Sequence, residues 1–237
     1  MKIRNILFAM CLIFLPAISL AADASIMWID YIQGDVQILN PDMGEDWTTA
    51  EINFPISEGD RFWVPADGRI GARIGGGVYL RADKRTAFDI IRFDKNAVQL
   101  YLGGGHIYIN NRRGGIKAIQ IDLLYISVGC YDNSIATIDL DDQGVAEISA
   151  LKGNVYAETN AGKTRVGAGK TLTIRSGEIA ELAPIGPPDE WERWNLSRDR
   201  QLETSGESAR YLPDELQEYS SDFDVGGSWI YAGDGYV

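Results

Sequence analysis

The chain has 237 residues, of which 45% are apolar and 24% charged, a globular composition rather than a disordered or collagen-like one. Its 22 Lys and Arg against 34 Asp and Glu give a net charge of -12, so it has no surplus of cations to neutralise nucleic-acid phosphates or to dock on an anionic membrane surface. One His and two Cys leave the common zinc sites and a His-dependent triad short of parts.

Lys2 and Arg4 are followed by an apolar run of 15 residues, Ile6 to Leu20, interrupted by Pro16 and closed by the small-x-small pattern Ala22-Asp23-Ala24. This is the pattern of a secretory signal peptide over residues 1–24. A membrane anchor needs roughly 20 apolar residues, so no membrane span is expected after cleavage near Ala24. The mature chain would be periplasmic or secreted, with Cys130 as its only thiol. Ile126-Ser127-Val128-Gly129-Cys130-Tyr131 reads as a strand end, which favours a buried thiol over a disulfide between chains.

From Ser25 to Leu182 apolar side chains recur with a period of two. Val98, Leu100 and Leu102 oppose Gln99 and Tyr101, while Ile119, Ile121 and Leu123 oppose Gln120 and Asp122, the alternation of a strand with one buried side. Further runs lie at Ile107 to Ile109, Ser134 to Leu140, Val145 to Leu151, Val155 to Thr159 and Leu172 to Arg175. Turn residues such as Asp67-Gly68, Lys152-Gly153-Asn154, Asn160-Ala161-Gly162 and Ser176-Gly177 separate such runs. Many short strands without intervening helices predict an all-β domain over residues 25–183. Gly34-Asp35-Val36 and Gly153-Asn154-Val155 share a Gly-x-Val start, a faint internal similarity that would suit a solenoid.

Gly34-Asp35-Val36, Ser57-Glu58-Gly59-Asp60-Arg61, the strand from Gly68-Arg69 to Arg73, Val78-Tyr79-Leu80-Arg81, Thr86 and Leu102-Gly103-Gly104-Gly105-His106-Ile107-Tyr108 follow one another in an order that resembles the FecR-type domain. Gly153-Asn154-Val155 and Thr164-Arg165-Val166-Gly167-Ala168-Gly169 resemble its closing hairpins. The resemblance covers about Met27 to Leu182. It implies a periplasmic, non-enzymatic, solenoid-like β fold, best known in iron-uptake sensors that relay a signal from an outer-membrane transporter to a sigma factor. Neither a cytoplasmic anti-sigma segment nor a retained transmembrane helix after one is expected from this sequence, so the transmembrane relay is not carried over.

Ala183-Pro184-Ile185-Gly186-Pro187-Pro188 reads as a stiff linker, assigned to residues 184–188, because its prolines lack amide donors for ladder pairing. A helix is predicted over 189–205, with Pro188 near its first position, acidic residues at its positive end and an Asp189 to Arg193 pair. Trp191, Trp194, Arg198 and Leu202 share one stripe. The stripe either docks on the chain's own β domain or forms a ridge for a partner or glycan. Residues 206–237 carry Tyr219, Phe223, Trp229, Tyr231 and Tyr236 among Gly and Asp. Asp189-Glu190-Trp191, Arg198-Asp199-Arg200, Tyr211-Leu212-Pro213 and Gly227-Ser228-Trp229 resemble a Trp-rich uncharacterised domain that follows FecR domains in bacterial secreted proteins. Here that module is expected to be truncated.

Residues that could carry chemistry have plain alternatives. Lys163-Thr164 and Lys170-Thr171 lack the earlier glycine and following helix of a phosphate loop and read as hairpin punctuation. Gly103-Gly104-Gly105 reads as a turn or bulge. Asp139-Leu140-Asp141-Asp142-Gln143-Gly144 begins like a calcium loop but has Ala150 where the bidentate Glu belongs. His106 has no sequence-local nucleophile or relay. Asp122, Asp139 and Glu147 could converge as in glycoside hydrolysis, but no spacing shows it. Lys84-Arg85 and Arg112-Arg113 read as solvated turns.

The sequence therefore points to an all-β protein, a FecR-like short β-solenoid or two-sheet β-roll with a short C-terminal α-helical appendage. It would act without catalysis or cofactor as a binding or scaffolding module for a cell-envelope protein or polymer, with a link to signalling. The candidate docking surface is Trp191, Trp194, Arg198 and Trp229. The alternative is a glycan- or peptidoglycan-binding or glycan-active protein using its C-terminal aromatic segment.

Overall fold

The computed structural model describes residues 27–74, 77–94, 96–111, 116–175, 180–204, 208–213, 220 and 230. The signal peptide, Cys11, Arg112-Arg113, the Ser176-Gly177 turn, Trp229 and most of the aromatic tail lie outside them.

The chain begins with β1 (Met27–Gln33), β2 (Gln37–Leu39), β3 (Thr48–Thr49), β4 (Pro55–Ile56) and β5 (Arg61–Val64). The hairpin of β6 (Arg69–Ile74) and β7 (Val78–Ala82) leads into β8 (Thr86–Phe93) and the long β9 (Ala97–Asn111). Then come β10 (Ala118–Asp122), β11 (Ser127–Tyr131), β12 (Ser134–Leu140) and β13 (Ala146–Lys152). The last strands are β14 (Asn154–Thr159), β15 (Gly162–Gly167), β16 (Lys170–Ile174) and β17 (Glu181–Pro184), followed by α1 (Glu190–Thr204). The all-β expectation with one short helix holds.

Two sheets result. The first runs β4-β1-β6-β7-β9-β12-β13-β16-β17. The second runs β3-β2-β5-β8-β9-β10-β11-β14-β15. Strand β9 belongs to both: its first half pairs with β8 and β10, its second with β7 and β12. The changeover is the expected glycine bulge. Gly105 has φ +98, and a Cβ there would sit 2.5 Å from the Thr86 backbone, so only glycine allows the close approach.

Inward-facing side chains from the two sheets form one apolar cluster. Leu100, Ile121 and Val128 meet Ile107, Ile138 and Ile148 in it, and Phe62 stacks on Phe88 at 4.8 Å. Burying each such side chain stabilises by about 1.5–3 kcal/mol. The repeated Gly-x-Val start has a physical cause. Gly34 (φ +73) and Gly153 (φ +70) stand where β1 and β13 of the first sheet hand the chain to β2 and β14 of the second, and at both a Cβ would meet backbone at under 3 Å.

The linker begins later than the prolines suggest. Ala183 and Pro184 still pair, with Thr171 and Lys170, at the sheet edge, where a missing amide donor leaves no ladder bond unmade.

Candidate functional site

Helix α1 is built to close the outer face of the first sheet. Its start is a reciprocal cap: the Glu192 amide donates to Asp189 Oδ1 at 2.8 Å and the Asp189 amide to Glu192 Oε2 at 3.1 Å, the capping-box arrangement. Asp189 is thus the cap residue, and Arg193 donates to the Pro188 carbonyl at 2.6 Å instead of forming the expected pair with Asp189.

One turn further, the helix buries a polar network against β7 and β9. Arg81 donates to Asp199 Oδ1 at 2.7 Å and Asn195 Oδ1 at 3.2 Å. The other Asp199 oxygen accepts from Tyr108 Oη at 2.6 Å and Asn110 Nδ2 at 2.7 Å. The Arg81 and Asp199 side chains are only 2% and 6% exposed, so each charge depends on the other to offset its desolvation. Asp30, beneath the same helix, has its carboxyl raised by burial, with Arg81, Arg198 and Arg73 pulling it back.

The aromatic stripe folds over this network. Trp191 stacks on Trp194 at 5.2 Å, and Trp194 tilts against Tyr31 at 5.3 Å. The Arg69 guanidinium lies 5.1 Å from the Trp194 ring and Arg198 lies 4.3 Å from that of Tyr31, within cation–π range. Trp191 is 5% exposed, so it meets this chain's own sheet and is not available as an outward ridge. Trp194 and Arg198 also contact the sheet through Tyr31.

Beside the helix start is a cleft of about 330 Å³ with carboxylates from Asp139, Asp141, Glu147, Asp189 and Glu192. His106 on β9 faces Asp139 on β12, Nδ1 to Oδ1 at 2.6 Å. This bond raises the His106 pKa, with help from the Asp139 charge, while burial raises Asp139. Glu147 is the cross-strand neighbour of Asp139, whereas Asp122 lies on the second sheet, so the three carboxylates do not converge. Asp141 accepts the amides of Gln143 and Val145, closing a turn. Among the described residues no three His, Cys, Asp or Glu side chains stand in metal-holding geometry. Cys130 is buried, its thiol pushed up to about 12 by desolvation.

The outer face of the second sheet differs. Among the described residues no helix covers it, and it carries a cleft of about 360 Å³ lined by Gln37, Trp47, Arg61, Trp63 and Asp89. A second, of about 520 Å³, holds Tyr131, Asn154, Tyr156 and Lys163. Sequence reasoning missed both, although Arg61-Phe62-Trp63-Val64 carried a signal. With Phe62 and Val64 turned inward, alternation leaves Trp63 outward.

No family profile matches the chain, and no curated protein matches it. Similar solved structures include two of a Parabacteroides distasonis ATCC 8503 protein described as a "putative anti-sigma factor", at 1.65 and 2.50 Å resolution. Each is 10% identical with a TM-score of 0.46, over 52% of this chain and 59% of that one. No helix among the described residues is long and apolar enough to cross a membrane.

Proposed function

We propose that this chain is an exported, non-enzymatic FecR-like module of the cell envelope, with a link to signalling, that binds or scaffolds a partner through the outer face of its second sheet. The supporting observation is the asymmetry between the faces. Helix α1 fills one with a buried network, while the other keeps two open clefts with aromatic walls. After β9 the chain lays two strands in each sheet in turn, which supports reading the β region as a short roll or solenoid. Such a rigid slab suits display rather than turnover.

Site-specific photocrosslinking tests the reading. A crosslinker replacing Gln120, at the centre of the open face, should capture a partner in cells that make the protein, and one replacing Lys170, on the other sheet, should not. Adducts at Lys170 alone would refute the proposal. Export predicts a purified native protein whose first residue lies near Ser25, read by intact mass.

A further inference from the structure

We propose that the open face binds an extended, uncharged polysaccharide strand lying across the strands, gripped by the Trp47–Trp63 cleft at one end and the Tyr131–Tyr156 cleft at the other. This rests on the reading of that face as the working surface and names its ligand.

At the first end, Trp47 and Trp63 are 47% and 43% exposed and share their cleft with a planar amide, guanidinium and carboxylate from Gln37, Arg61 and Asp89. An indole face accepts the C–H side of a sugar ring, and planar polar groups at its edge bond the ring hydroxyls. An acyl chain would want apolar walls throughout. At the second end, Tyr131 meets Tyr156 edge-on at 5.7 Å, and Lys163 Nζ lies 5.2 Å from the Tyr156 ring. Tyr131 lies across Gly129, where a Cβ would come within 3.2 Å of the ring. The glycine leaves that platform flat.

Between the ends runs a polar row in register. Arg61, Asp89, Tyr101, Asp122, Ser127 and Glu158 are successive cross-strand partners. The five steps from β5 to β14, at about 4.8 Å each, span roughly 24 Å, enough for several linked sugar rings. The row is pre-oriented: Asp122 accepts from Gln99 at 2.6 Å and Gln120 at 2.8 Å, and bonds Ser127.

Charge selects the ligand class. Arg61 pairs with Asp89 at 3.3 Å and Lys163, beside the row, with Glu158 at 3.8 Å, while the third carboxylate, Asp122, is held by the neutral Gln99, Gln120 and Ser127, so the row concentrates neither sign of charge. An acidic polymer finds no basic stripe and a basic peptide no concentrated acid. A protein partner would need a contiguous apolar centre, whereas here the aromatic platforms stand apart with hydroxyls, amides and carboxylates between them. A neutral, hydroxyl-rich strand matches this spacing.

Calorimetric titration of the mature chain with cello- and N-acetylchito-oligosaccharides tests the proposal. At least one of the hexasaccharides should bind, with its disaccharide at least about tenfold weaker. Trp63→Ala and Tyr156→Ala should each weaken the hexasaccharide about tenfold while leaving the thermal unfolding midpoint near its original value. No binding of either sugar, equal binding of disaccharide and hexasaccharide, or unchanged binding by Trp63→Ala would overturn it. A protein captured at Gln120 with no oligosaccharide bound overturns the glycan and keeps the face; no capture and no binding overturns both.

Discussion

The two sheets share one core and one long strand, yet their outer faces have opposite fates. On the first sheet, outward residues such as Arg81, Tyr108 and Asn110 are buried because α1 lies on them and Asp199 satisfies them all. On the second, outward residues of the same general kinds, Arg61, Tyr101 and Gln120, stay at the surface, where Arg61 bonds sideways to Asp89 and Gln120 to Asp122. A polar and aromatic face does not by itself declare whether it will be covered. A helix must carry the complementary groups at matching spacing, and Asn195 and Asp199, one turn apart, do so for Arg81.

The comparison can be broken most forcefully at Asp199. Asp199→Ala leaves Arg81 buried without its partner and should cost about 3–5 kcal/mol, read by chemical denaturation. A double Arg81→Met, Asp199→Leu variant should recover part of that loss. If the single variant costs under about 1 kcal/mol, the helix is not closing the face. Next comes Trp191→Ala, expected to cost about 3 kcal/mol because the cavity opens beneath a covered ring; thermal unfolding checks it. Trp63→Ala on the open face should cost only about 0.5 kcal/mol, and a loss as large as that of Trp191 would mean the second face is covered too.

The smallest effect is a pH dependence beside the helix start. The fold raises the His106 pKa above its ordinary 6.5 through Asp139, with Asp83 and Asp189 adding to it. The stabilisation is therefore complete below the unfolded value and is lost as pH rises through the folded one. Denaturation midpoints measured from pH 5 to pH 9 should fall across that window, and His106→Gln should flatten the fall.

Alternation made the β domain legible. Val98, Leu100 and Leu102 turn inward as their spacing requires, and the Trp191–Trp194–Arg198 stripe marked a helix with one sticky side. What the helix sticks to was not legible, because Arg81 and Asp199 lie 118 positions apart and no local rule joins them. His106 and Asp139 were both visible, but their partnership depends on the register of β9 against β12. The prolines after Leu182 misplaced the start of the linker, since their effect depends on whether a strand is central or at an edge.

Strand β9 has a mechanical consequence. Because one continuous backbone serves both layers, neither leaf of the sandwich can peel away without tearing bonds in the other. Amides at both ends of Ala97–Asn111 should then exchange with solvent only through global opening and at matching rates, so the stitched strand, rather than the apolar filling alone, would make the slab unfold in one step.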